Sequence, residues 1–527
     1  MSGPIDPPID PPIDPPIDPR VDPEADTGAD SRGRWALGLI GLSVLLVLVI
    51  GSFGPTAAQA KLPGGPAWLP PYGFASFGWI RDPGPFVVTC LLMLAMAIGA
   101  TGLLTGLGAI DRGWRPDTRR LGRAGIVLTV LMIMVGPMGS TDVLMYAGYG
   151  RLAATGRNPY VHTVRELINS GDPIGVATTG IRWVDTTSVY GPIATGIQAL
   201  ASLIGRSSVH TTVFVITAAG AIAYVITGIL LRRLAGADEI RRSRVLLLWT
   251  LNPILLFIAV NSGHADTIGI VFAVASLWAL SRKRWILSGL LIGAACAVKI
   301  TFGIYVLGLV IVLRGLPRRL ATVLVGGLVL GAVSYALVGP QALRSTLLAG
   351  GNYAAASPLR WPLYPLSALI GQQHGVTVIV AVGWLLMFVF GRLLYRLLPH
   401  PAPASGEDQD LAARAVPVLA ALGLGWILTS AYALGWYDVI AWAPLTLVAG
   451  ARLVDRVVTV RTAVLVAAYL PGAASAFTPA TQWLTDGVRN VVAPAVGFAL
   501  MAVICWAVWR QRRGSEGAAR PTRRSAV

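Results

Sequence analysis

Charge is what this 527-residue sequence has least of: Asp, Glu, Lys and Arg together make up 13% of it. A chain this long with so few charges cannot clothe a set of soluble domains in solvated side chains. Cysteine is scarcer still. Cys90, Cys296 and Cys505 all fall inside hydrophobic runs, which excludes a disulfide framework and a thiolate metal site. The sequence contains no Walker loop, no Rossmann glycine fingerprint in a βαβ context, no HExxH and no zinc-ligand spacing. ATP-driven transport and cytosolic nucleotide-sugar chemistry therefore lack support, and neither a cofactor nor a metal is expected. The opening residues show no cleavable signal-peptide pattern.

What is present is apolar surface. Hydrophobic residues make up 54% of the chain and its mean hydropathy is +0.66, which reads as an all-α polytopic membrane protein. The formal net charge of +17 does not point to nucleic acid, because the basic residues sit in short clusters between hydrophobic runs. That is the positive-inside pattern of membrane topology. Candidate spans lie near 35–53, 85–108, 124–140, 211–231, 245–260, 266–281, 286–298, 301–313, 320–338, 376–397, 415–433, 439–450, 461–478 and 491–509. Arg32 and Arg34 place the N-terminus inside, and the clusters at 111–123, 232–244, 281–284, 314–319 and 451–456 then fall inside as well.

One apolar stretch, YGPIATGIQALASLIG (190–205), would break this alternation if it crossed, so it reads as a helix at the outer surface. The result is about 13–14 spans in a membrane domain over 35–509, with both termini cytoplasmic. Residues 139–210 form a long extracytoplasmic loop, and 339–375 form a second outer loop. Long ordered loops carry function more often than mere connection. The first 34 residues, opening with an Ile-Asp-Pro-Pro repeat, read as an extended, disordered tail, because proline at that density denies the backbone its hydrogen bonds. Residues 510–527 read as a basic tail.

The long outer loop opens with GSTDVLMYAGYGRLAATGRNPYVHT (139–163). Asp142, Tyr146 and Tyr149 are spaced to share one helical face. A carboxylate beside aromatic rings suits sugar work, since rings pack on the C–H face of a pyranose and the carboxylate accepts a hydroxyl proton. An interfacial aromatic belt and a solvated charge would give the same pattern. The turn Gly156-Arg157-Asn158-Pro159-Tyr160 restricts the backbone that follows. Asp185 and Tyr190 come next, and Asp185 alone fits a cap or a solvated charge equally well. In VNSGHADTIG (260–269), His264 and Asp266 stand at the edge of two spans, where ionisable groups are costly and usually functional. Asp266 also fits an N-cap. Lys299 lies between two runs at the outer face, where it either snorkels or binds an anionic head group. The loop 339–375 adds Arg344 and Arg360 as further candidates for head-group or substrate contact.

The patterns Asp142-x-x-x-Tyr146, Gly156 to Tyr160, Tyr190-Gly191-Pro192 and Gly263-His264-Ala265-Asp266 resemble those of the polytopic GT-C glycosyltransferases. Their order is most similar to the actinobacterial polyprenol-phosphate-mannose-dependent α-1,6-mannosyltransferases that build the mannan backbone of lipomannan, over roughly residues 85 to 510. The resemblance implies a plasma-membrane enzyme with its active site outside. It implies polyprenyl-phosphate mannose as donor, and a mannosylated phosphatidylinositol or lipomannan as acceptor. Membrane lipids would surround it, and nucleic acid would play no part. It implies a single inverting displacement, with Asp142 as general base and phosphate as a leaving group that needs no acid. Lys299 or an outer-loop arginine (Arg344, Arg360) would hold the lipid phosphate. His264 and Asp266 would shape the site, and Tyr146, Tyr149, Asn158, Tyr160, Asp185 and Tyr190 would contact substrate. Three readings stay open beside it: a transferase for another lipid-linked sugar such as arabinofuranose, a secondary transporter or lipid flippase, and a catalytically silent scaffold.

Overall fold

Apolar runs in lipid can satisfy their backbone only within helices or closed barrels, and here they do so as helices. The computed structural model describes residues 23–52, 56–59, 62, 63, 65, 83–348, 352–400, 410–432, 434–472 and 478–518. The Ile-Asp-Pro-Pro repeat lies outside them, as do parts of the loop 339–375, the expected span 461–478 and the C-terminal tail. Among the described residues there is no strand, only an isolated bridge between Gln59 and Met138. The chain is an all-α polytopic membrane protein: among the described residues eight helices are long and apolar enough to cross a membrane. Four shorter apolar helices accompany them: Pro192–Gly205, Asp266–Ser281, Trp285–Val298 and Ile300–Leu313.

The centre of the molecule is the broken helix over 239–261, of which 94% of the apolar window is buried. It runs as an α-helix over Glu239–Val245, widens into π-turns at Leu246–Thr250 and Leu256–Asn261, and is interrupted at Asn252-Pro253. Pro253 lacks an N–H and cannot continue the ladder. Asn252 compensates by accepting from the amides of Ile254 and Leu255, at 3.1 and 3.2 Å. Around this core the first two helices, Pro23–Gly51 and Pro85–Ile110, pack as a hairpin. The helices Gln372–Leu397 and Leu411–Thr429 pack as another.

Three sequence expectations differ from the structure. The first helix starts at Pro23 rather than near 35, so the acidic stretch before the span forms its opening turns. The segment expected to cross at 439–450 is a helix only over Val439–Leu445. The span expected at 461–478 is a helix over Arg452–Ala467, so the charges of 451–456 belong to it and not to a loop.

Distant partners make that shift tolerable. Asp455 accepts two bonds from Arg244, at 2.7 and 2.8 Å, with both side chains under 5% exposed. Arg461 donates to Asp438, which also accepts from Thr462 Oγ1 at 2.7 Å. A buried charge is tolerable only when paired and hydrogen-bonded in this way.

Candidate active site

Asp142 is the first residue of the helix Asp142–Ala154, and its own amide donates to Ser140 Oγ at 3.1 Å. The turn before it is pinned to the end of the broken helix. Asn261 donates through its side-chain amide to the carbonyls of Met132 (2.9 Å) and Gly136 (3.1 Å), and its Oδ1 accepts from Met138 N at 3.0 Å. Ser262 Oγ donates to the Met138 carbonyl. Gly139 follows with φ of +79°, and a Cβ there would sit 2.8 Å from the Phe257 ring, so the close approach requires glycine. These contacts fix where the helix begins, and therefore where the carboxylate stands.

The Asp142 side chain is 23% exposed. Burial pushes its carboxyl up to about 6 against the opposing charge of Lys299, with Asp266 adding to the rise. One carboxylate oxygen lies 3.8 Å from His264 Nδ1, and the Tyr146 hydroxyl lies 3.2 Å from the same nitrogen. Tyr190 donates to the Tyr146 hydroxyl at 3.3 Å, and the two rings meet edge to face with centroids 4.9 Å apart. His264 is fully buried, its ring stacked on Trp436 at 3.8 Å and 9°. Its Nε2 has no hydrogen-bond partner among the described residues.

Lys299 occupies the break between Trp285–Val298 and the next helical turn, with extended backbone. Its ammonium donates to both oxygens of Asp266, at 2.8 and 2.9 Å, and lies 3.5 Å from the centroid of the Tyr437 ring. A cation over an aromatic face is stabilised by the ring quadrupole. Tyr437 and Trp436 sit in a short 3-10 turn, Gly435–Asp438, held from below by the bonds of Asp438 to Arg461 and Thr462.

These groups surround a cavity of about 530 Å³. Asp142, Tyr146, Tyr149, Tyr190 and Lys299 line its polar end. Trp426, Tyr432, Leu434 and Tyr437 also line the cavity, Tyr437 beside Lys299, together with Thr346 and Leu347. Val380, Gly383 and Trp384 of the helix Gln372–Leu397 also line it, and Trp384 is 49% exposed. One end therefore offers a carboxylate, an ammonium and hydroxyls, while the other reaches the lipid-facing side of a spanning helix. Among the described residues no cluster of His, Cys, Asp and Glu is placed to hold a metal ion.

The remaining candidates lie elsewhere. Asp266 and His264 stand behind the lining, in contact with Lys299 and Tyr146. Asn158 closes its own turn by accepting from Tyr160 N at 3.0 Å and donates to the Val338 carbonyl at 3.2 Å. Tyr160 donates to the Tyr190 carbonyl at 2.9 Å, so it braces a lining residue. Asp185 is 65% exposed and held by a two-pronged pair with Arg165. Arg360 donates to Asn490 and to the Ala355 carbonyl. Arg344 is exposed, one turn-half before the lining residue Thr346. Sequence reasoning missed Trp436, Tyr437 and Tyr432. The stretch YALGWYD (432–438), three rings and a carboxylate between two apolar runs, carried the signal.

A family model described as alpha-(1->6)-mannopyranosyltransferase, N-terminal domain, matches residues 36–315. Alpha-(1->6)-mannopyranosyltransferase A of Corynebacterium glutamicum is 24% identical over 261 residues, 49% of this chain and 52% of that protein. The B protein of the same organism is 25% identical over 184 residues, 32% of this chain and 30% of that protein. A polyprenol-phosphate-mannose-dependent alpha-(1-2)-phosphatidylinositol pentamannoside mannosyltransferase of Mycolicibacterium smegmatis is 30% identical over 178 residues, 32% of this chain and 41% of that protein. The chain thus spans about half the length, or less, of the curated relatives it matches. No solved structure matches it significantly.

Proposed function

Because this chain belongs to the alpha-(1->6)-mannopyranosyltransferase family, we propose that it moves mannose from polyprenyl-phosphate mannose to the α-1,6-mannan of a membrane lipoglycan. The acceptor is a mannosylated phosphatidylinositol or a lipomannan, and the reaction takes place at the outer face of the plasma membrane. The observation that carries this reading is Asp142, a carboxylate with a raised pKa, facing a cavity that Lys299 also lines.

The acceptor hydroxyl gives its proton to Asp142 as its oxygen attacks the anomeric carbon. The C–O bond to phosphate breaks, and the electron pair leaves with polyprenyl phosphate. Phosphate needs no proton to depart, so a single carboxylate suffices. Two of the three N–H groups of Lys299 go to Asp266, which leaves one for a phosphate oxygen. The tyrosine and tryptophan faces around the cavity suit the C–H surfaces of sugar rings. The side reached by Trp384 suits the isoprenoid chain of the donor. One attack from the side opposite the phosphate inverts the anomeric centre, so a β-linked donor gives an α-linked product.

Membranes carrying the full chain, supplied with labelled polyprenyl-phosphate mannose and an α-1,6-mannoside acceptor, test this. Transfer that yields α-1,6 linkages and is lost in Asp142→Asn and Asp142→Ala supports the reading. Full transfer by both variants would sink the general-base role. Use of polyprenyl-phosphate arabinofuranose in place of the mannose donor, or an α-1,2 product, would replace the sugar or the linkage.

A further inference from the structure

A second cavity lies at the other end of the helix layer from Asp142. It measures about 340 Å³ and sits between the helices Thr118–Met134, Val209–Leu234 and Glu239–Val245. The first of these helices begins at the cavity and runs away from it towards Asp142, so the two cavities sit on opposite sides. By the distribution of basic residues this side is the cytoplasmic one.

Four arginines from three helices face the cavity: Arg119, Arg123, Arg232 and Arg242. No Asp or Glu lines it. The neighbouring Arg120 and Arg241 pair with Asp117 and Asp238, and Arg119 shares the field of Asp117. Among the described residues Arg123, Arg232 and Arg242 make no ion pair, and the Nε of Arg242 is buried without a hydrogen-bond partner. Three like charges without a carboxylate partner, beside a fourth that shares one, make the cavity favour an anion. Guanidinium groups match a phosphate through paired N–H donors.

Beneath the arginines the cavity turns apolar. Ile126 and Ile229 flank it at 44% and 45% exposure, so the slot opens sideways towards lipid. Its floor is Trp249, fully buried and stacked on Tyr224 at 5.0 Å and 20°. Gly125 and Gly228 keep the slot open: a Cβ on Gly228 would lie 3.3 Å from Trp249. From Thr118 to Thr129 the lining follows its helix for about 16 Å of rise, close to the depth of one leaflet. A free phosphate or a nucleotide would leave this apolar part unused.

We propose that this cavity holds an anionic phospholipid of the leaflet opposite the reaction site, its phosphate among the four arginines and an acyl chain in the slot over Trp249. Basic pockets between spanning helices at this depth suit such headgroups. The site is separate from the transferase reading and does not depend on it.

The test uses the full chain purified in neutral detergent, with dioleoyl phosphatidylglycerol, dioleoyl phosphatidylcholine or inorganic phosphate added, and bound lipid counted by native mass spectrometry. The wild-type chain should retain phosphatidylglycerol over phosphatidylcholine. Arg123→Gln with Arg232→Gln should weaken that retention roughly 30-fold, from the typical effect of two basic residues on an anionic lipid. Gly228→Leu keeps the charge and blocks the slot, and should lose the lipid as well. Equal retention of the two lipids by the wild-type chain would overturn the proposal, whether or not the variants fold. Retention unchanged in both variants would also overturn it, by placing the lipid elsewhere. Thermal protection by inorganic phosphate equal to that by phosphatidylglycerol would overturn the lipid assignment.

Discussion

An Asp142 carboxylate oxygen and His264 Nδ1 stand 3.8 Å apart, beyond hydrogen-bond reach, while Tyr146 takes that nitrogen at 3.2 Å. The histidine is therefore occupied by a tyrosine, and the carboxylate beside it keeps an acceptor oxygen facing the cavity. An Asp locked to His264 would have to break that bond before receiving a proton. Of the polar groups that border Asp142, Ser140 gives its carboxylate a hydrogen bond and His264 does not.

Replacing Asp142 with Asn should lower kcat by about 10²–10⁴-fold, the usual contribution of a positioned base. Donor and acceptor KM should change little. The same variant should unfold at an equal or higher temperature than the parent at pH 7. The folded state raises this carboxyl to about 6 from 3.8, so its charged form costs stability there. Loss of activity together with loss of stability would mean that the residue is structural.

The raised carboxyl also fixes a pH dependence. A base works when deprotonated, so kcat/KM should rise with pH through about 6 and level off above it. A profile flat from about pH 5 to 8, with chemistry rate-limiting, would remove Asp142 from that role.

Lys299→Met should raise the donor KM more than the acceptor KM. It also leaves Asp266 buried and unpaired, a loss of about 3–5 kcal/mol. The double variant Lys299→Met with Asp266→Asn should recover most of the stability and keep the donor defect. Recovery of both would assign the pair to folding alone.

Asn261→Ala should lower stability by about 1–3 kcal/mol, because it strands the amide of Met138 and carbonyls of the turn before Asp142. The effect on turnover should exceed the effect on KM, since the turn sets where the carboxylate stands. Equal activity per folded molecule would show that the turn holds without it.

Asp455→Ala should cost about 3–5 kcal/mol in unfolding measurements, because it leaves Arg244 charged and buried. Arg244→Met with Asp455→Leu should recover most of that loss. Additive losses in the double variant would show that the two residues do not act as a pair.

The membrane class and the helical architecture could be read from the runs of apolar residues and from the short basic clusters between them. Both are local signals. Asp142, Tyr146, Tyr149, Tyr190 and Lys299 were picked by charge or ring at the edge of a span, and the structure gathers them on one cavity. Asp185 was picked by the same kind of signal, and it pairs with Arg165 on the surface. No local pattern separates the two cases, because the partner that claims a carboxylate is set by tertiary structure. The helix Arg452–Ala467 was misplaced for the converse reason. The cluster 451–456 reads as a basic loop, and the residues that neutralise Asp455 and Arg461, Arg244 and Asp438, lie outside this helix.

The cavity described above is lined from both sides of residue 315, where the family match ends. Asp142 and Lys299 come from the matched stretch. Half of the lining rings (Trp384, Trp426, Tyr432 and Tyr437) and the side open to lipid come from the sequence after it. Substitutions that reshape the cavity can therefore fall in the later half without touching Asp142 or Lys299.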